Sequence, residues 1–116
     1  MKFKLIWALV DDHETELMVK TAREAGATGS TVITGARGEG LNPHKTFFGL
    51  DLEAQRDVIL LLVEGHLARN ILERLAEVGH FDDTPGTGIA FQVDIEDAVG
   101  LGSQFKTIFS EIEEKL

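Results

Sequence analysis

Cysteine and tyrosine are missing from this chain of 116 residues, and proline occurs only twice. Basic side chains are also scarce, 11 against 20 acidic ones. Without cysteine there is no disulfide framework, no thiolate zinc or iron–sulfur centre and no thiol nucleophile. The net charge of −9 argues against a nucleic-acid backbone as the main partner. Residues 2–10 are largely apolar, but the run is too short to span a membrane, and Asp11 and Asp12 follow it at once. That pattern fits neither a membrane anchor nor an export signal. The expectation is a cytoplasmic protein that is not itself a membrane protein and does not bind nucleic acid.

What is present is enough for one core. Hydrophobic residues make up 43 % of the chain, and a domain of this size buries roughly 60 to 70 % of its unfolded surface. A single domain over residues 1–116 is expected. Residues 2–10 read as a strand that is apolar on both faces once past its first positions. Asp11 or Asp12 can cap the helix that follows, with Leu17, Met18, Ala22 and Ala25 as its stripe and Gly26 as its stop. Residues 28–34 are rich in β-branched Thr31, Val32 and Ile33 and read as a second strand.

A stretch of about 20 residues without an element is rare in a compact domain unless it is functional or disordered. Residues 36–55 are such a stretch, and Phe47, Phe48 and Leu50 within it are too apolar for a passive linker. Residues 56–63 form a third strand, apolar on both faces, and residues 65–78 a second helix stopped by Gly79. The turn-rich segment 80–88 leads to a fourth strand over 89–95. Ser103 can cap a terminal helix over 103–116 bearing Phe105, Ile108, Phe109, Ile112 and Leu116.

Strand, helix, strand, strand, helix, strand is an α+β pattern. It corresponds to a ferredoxin-like βαββαβ unit with an antiparallel sheet, here with a long loop between strands 2 and 3 and a C-terminal helix. An antiparallel sheet with one face in water should alternate apolar and polar residues. These strands do not, so a cyclic oligomer covering the second face is expected.

The stretch Gly26-Ala27-Thr28-Gly29-Ser30-Thr31-Val32, followed by Arg37-Gly38-Glu39-Gly40, resembles the P-II nitrogen-regulatory signalling family. Element order and loop placement extend the resemblance from residue 1 to about 95. It implies a homotrimer that binds adenine nucleotides in clefts between subunits and signals through its long loop to an enzyme or a membrane transporter. Carried over by position, it implies nucleotide contacts at Gly29, Thr31, Arg37, Gly38 and Val63. The backbone of Gly86, Thr87 and Gly88 would face the phosphates, since a glycine-rich turn can present successive N–H groups to an anion. Phe47 and Phe48 either fold back into the protein or dock on a partner.

Two departures from the family pattern are informative. The phosphate-facing loop has no lysine and carries Asp82 and Asp83, and Asp94, Glu96 and Asp97 stand where the family places arginines. Carboxylates oppose a triphosphate. The expected effector is therefore an adenine nucleotide (ADP, AMP, ATP or cyclic AMP), the less charged ones fitting the loop better, with no tightly bound cofactor. The absence of tyrosine excludes regulation by uridylylation.

Bland readings compete at each position. Thr31 is a strand former, Gly38 and Gly40 are hinges, and Arg37 can lie solvated beside Glu39. His80 follows a helix end, where a cation is favoured. His13, His44, His66 and His80 form no His-x-His pair, so no metal site is expected. Ser30, Ser103 and Ser110 lack a surrounding nucleophile motif, so no catalysis is expected. The alternative function is a ferredoxin-like trimer without nucleotide binding, acting in metal binding or as a structural assembly module.

Overall fold

A computed structural model describes residues 2–36, 46–47, 50–51 and 55–100. In chain order the elements are β1 (Phe3–Asp11), α1 (Thr15–Glu24), β2 (Thr31–Ala36), β3 (Thr46–Phe47), β4 (Leu50–Asp51), β5 (Arg56–Glu64), α2 (Gly65–Gly79) and β6 (Gly88–Asp94). The main sheet is antiparallel in the order β2-β5-β1-β6. With the two helices on one face, this is the ferredoxin-like arrangement expected from the element order. The helix expected over 103–116 lies outside the described residues.

The alternation of strand side chains places the core. Ile6, Ala8 and Val10 of β1 and Ile59, Leu61 and Val63 of β5 point to the helices and are almost fully buried. They meet Met18 and Ala22 of α1 and Ala68, Ile71 and Leu75 of α2. Alanine at positions 8, 22 and 68 lets the helices lie close to the sheet.

Three local differences from the sequence expectation have physical causes. First, Asp11 does not cap α1. Its carboxylate accepts from the His13 N–H at 3.0 Å and caps a short 3-10 turn, Asp12–Glu14. The start of α1 is anchored instead from β5: Thr15 Oγ1 donates to Asp57 Oδ2 at 2.7 Å, and both residues are buried.

Second, the left-handed residue ending α2 is His80 (φ 56), not Gly79. The Phe81 N–H reaches back to Ala76 O at 3.0 Å, the bond of a Schellman ending. A left-handed non-glycine residue costs about 1 kcal/mol.

Third, part of the segment expected to be without structure is paired. Thr46 and Phe47 of β3 lie opposite Asp51 and Leu50 of β4.

The sheet face away from the helices carries Leu5, Trp7 and Leu9, Val58, Leu60 and Leu62, and Ile89, Phe91 and Val93, in matched cross-strand rows. Thr31 and Ile33 extend two of those rows onto β2. Trp7 and Phe91 stack with ring centroids 6.2 Å apart and planes 7° from parallel. Trp7 is 37 % exposed, Ile33 48 % and Phe91 43 %, so no described part of the chain covers this face. A contiguous apolar surface across four strands marks an interaction site rather than a solvated wall.

Candidate functional site

Most of the described residues expected to touch a ligand fall at the two edges of the sheet. Gly29 and Ser30 lead into β2, whose outer side has no neighbouring strand among the described residues. Thr31 is exposed and lies opposite Leu60. A Cβ at Gly29 would meet nothing within 4 Å. Nothing among the described residues requires a glycine there. A close approach from outside would.

Val63 is placed differently. It is 2 % exposed and faces the helices, whereas Thr31 shares the opposite face with Leu60. Within one chain the two side chains lie on opposite faces of the sheet. Arg37, Gly38 and Phe48 lie outside the described residues. For Phe47 the backbone pairing in β3 is described.

At the other edge, residues 80–88 join α2 to β6 through a loop tied to itself. The Thr84 N–H donates to His80 O at 3.0 Å. Thr87 Oγ1 lies 3.0 Å from both His80 O and Thr84 O. A hydroxyl has one proton, so it serves these carbonyls in turn. Gly86 takes φ +82, and such a left-handed step can turn successive N–H groups toward one point. A Cβ there would meet nothing within 4 Å, so the turn is open on its outer side.

Gly79 and Gly88 have another role. An added Cβ would lie 2.4 Å from the Phe81 ring at Gly79 and 2.5 Å from it at Gly88. The ring of Phe81 occupies the space of both missing side chains and pins the two ends of the loop together. The sequence pattern marks the backbone of Gly88 for a phosphate and gives no role to Phe81. An aromatic two residues after one glycine, in a loop closed by another, was the available signal. A cavity of about 270 Å³ lies behind this ring, between α2 and β6, with Leu72, Ala76 and Ala90 in its wall and Arg69, Glu73 and Asp82 at its rim.

Charge around the loop is mostly negative, and part of it is paired. His80 Nδ1 lies 3.8 Å from Asp83 Oδ2, and Arg69 Nε lies 2.9 Å from Glu73 Oε1. At the far end of β6, away from this loop, Lys4 holds Asp94 through a hydrogen bond and its charge, keeping that carboxyl below its ordinary value.

At the β1–α1 corner, Asp11, Asp12 and His13 bring ligand atoms within 4.8 Å of one another. The Asp11 carboxylate already serves the local turn. The backbone N–H of His13 lowers its pKa most, the side chain of Asp12 and the charges of His13 and Arg56 lower it further, and burial opposes them. Arg56 and Asp57, at the root of the long segment, are buried charged residues that the sequence reading did not single out.

The family model for nitrogen regulatory protein P-II matches residues 3–103. The chain belongs to the P-II family. Solved structures of the same fold include a PII-like signaling protein from Thermus thermophilus, 24 % identical with a TM-score of 0.60, covering 82 % of this chain and 88 % of that one. CPII from Thiomonas intermedia, bound to ADP, AMP and acetate, is 18 % identical with a TM-score of 0.63, covering 84 % and 89 %. CPII bound to ADP, AMP and bicarbonate is 21 % identical with a TM-score of 0.62, covering 84 % and 97 %. A search of curated proteins returned no match. In this P-II chain, the two groups of expected ligand residues are separated by the full width of the sheet.

Proposed function

We propose that this P-II chain is a regulatory protein that binds an adenine nucleotide in clefts between the subunits of a homotrimer. It would signal through residues 36–55 to a partner protein, an enzyme or a membrane transporter. One observation carries the cleft. Thr31 lies on one edge strand and Gly88 at the start of the other, in the order β2-β5-β1-β6. The strands that carry them lie three strand spacings, about 14 Å, apart. One chain cannot close both edges on the same ligand. Two copies can, if the β2 edge of one faces the 80–88 loop of the next, and a ring of such contacts also covers the bare apolar face.

Within this reading Thr31 offers its hydroxyl to the base, Gly29 leaves room for it, and the Gly86 turn receives phosphate. ADP and AMP in the CPII structures support the ligand class. Binding would act on a partner by favouring one arrangement of residues 36–55 over another, which requires different ligand affinities for the two. Phe47 and Phe48 are the proposed partner contacts.

Subunit complementation tests the shared cleft. Thr31→Glu and Gly86→Asp variants should each lose nucleotide binding in calorimetric titration. Mixed, unfolded and refolded together, they should regain part of it, because some clefts then combine an intact β2 edge with an intact loop. No recovery in a mixed trimer would refute the shared site. Among the described residues no helix is long and apolar enough to cross a membrane, so a transporter would be met as a separate protein.

A further inference from the structure

Between the outer flank of α2 and the edge strand β6 runs a groove that no described part of the chain fills. Ala90, which lies opposite the buried Ala8, forms its floor, and Leu72, Ala76 and Phe81 form its walls. All four are only half-buried. The cavity there measures about 270 Å³, roomier than the roughly 150 Å³ that accepts a benzene ring. Arg69 and Glu73 at the rim pair with each other at 2.9 Å, so their charges can stay outside while an apolar group enters.

The chain carries an occupant of the right kind. The family model ends at residue 103, and beyond it Phe105, Ile108, Phe109, Ile112 and Leu116 recur at three- and four-residue spacing, with lysines and glutamates between them. That spacing makes one apolar stripe on a helix. A helix of so few residues is marginal in water unless packing buries its stripe.

The point where the chain leaves the sheet selects the groove. Asp94 lies opposite Lys4, and Glu64, the residue before α2, lies opposite Phe3. The end of β6 is therefore beside the start of α2, and residues 95–102 allow the chain to turn back along that flank. A helix over 103–116 would be about 20 Å long, matching the length of β6, about 20 Å. Starting beside Asp94, it would bring Phe109 and Ile112 about 9 to 14 Å along the groove, level with Leu72 and Ala76. The bare sheet face is the competing surface. Its four strands are too wide for one helix of about 10 Å to cover.

We propose that residues 103–116 form an amphipathic helix that docks in the groove between α2 and β6 of its own chain, with Phe109 and Ile112 entering beside Phe81. Docked there, it closes over the ring that pins the 80–88 loop. The nucleotide reading is not needed for it.

Hydrogen exchange of the full chain tests the docking. Residues 103–116 should be protected. The Phe109→Asp/Ile112→Asp variant should lose that protection and exchange faster over 69–81 and 88–92, with β2 and the emission of Trp7 unchanged. An unprotected 103–116 in the unaltered protein would overturn the proposal, as would unchanged exchange over 69–81 in the variant. A shift in Trp7 emission would put the segment on the sheet face instead and overturn it too. The chain has no cysteine, so an Ala76→Cys/Ile112→Cys variant can be joined by a short bismaleimide without background. A link within one chain is expected. Links between chains alone would assign the segment to a neighbour's groove, and no link would exclude the groove; either overturns the proposal.

Discussion

A single aromatic ring sets the requirement at two glycines. Any side chain at Gly88 collides with the Phe81 ring, which must then shift out of the gap between Gly79 and Gly88. Gly88→Ala should therefore cost about 1 to 3 kcal/mol by overpacking, read as a lower urea midpoint. Gly86→Ala strains only a left-handed turn that is open on its outer side, and should cost about 1 kcal/mol. Equal losses at the two positions would mean that the ring does not hold the loop. Both glycines were legible in the sequence as turn formers, and their different duties were not. A pattern of Gly and Phe along a chain does not say which ring fills which gap, because that depends on where the helix end delivers the ring.

At the level of elements, the corner between β1 and α1 is an electrostatic joint. Hydrogen bonding from the His13 N–H keeps Asp11 below the ordinary carboxylate pKa. A carboxyl depressed in the folded state stabilises it fully above the unfolded value, about 3.9. That contribution is lost as pH falls through the lower, folded value. Asp11→Asn should be less stable than the unaltered protein at neutral pH, and the gap should close as the medium is acidified below pH 4. Urea titrations at several pH values check this. A gap that widens in acid would contradict the assignment.

The strands and both main helices were readable from apolar spacing and from Gly26 and Gly79. The anchoring of Thr15 by Asp57, 42 positions away, was not. Neither was the pairing of Thr46–Phe47 with Leu50–Asp51 inside a segment whose composition suggests a loop.

For the whole molecule, the exposed apolar face makes the strongest demand. Trp7 is the only tryptophan and stacks on Phe91 in the middle of that face, so its fluorescence should report assembly directly. Light scattering should give three times the chain's 12.7 kDa. Phe91→Glu places a charge in the contact and should yield monomers with red-shifted tryptophan emission and lost nucleotide binding. A folded Phe91→Glu monomer that still binds nucleotide would place the site within one chain and refute the shared cleft.

The sequence by itself determined the fold class, the two-faced apolar strands and the family likeness, because those depend on residue spacing and composition along the chain. Tertiary structure alone decided where the expected site residues go. It buried Val63 under the helices, left Thr31 on the opposite face, and put Thr31 and Gly88 on opposite edges of one sheet. Strand order and register set those positions, and they arise from packing β5 and β1 between the edge strands. No local pattern carries that information, since neighbours in the sheet are as far as 90 residues apart in the chain: Lys4 lies opposite Asp94.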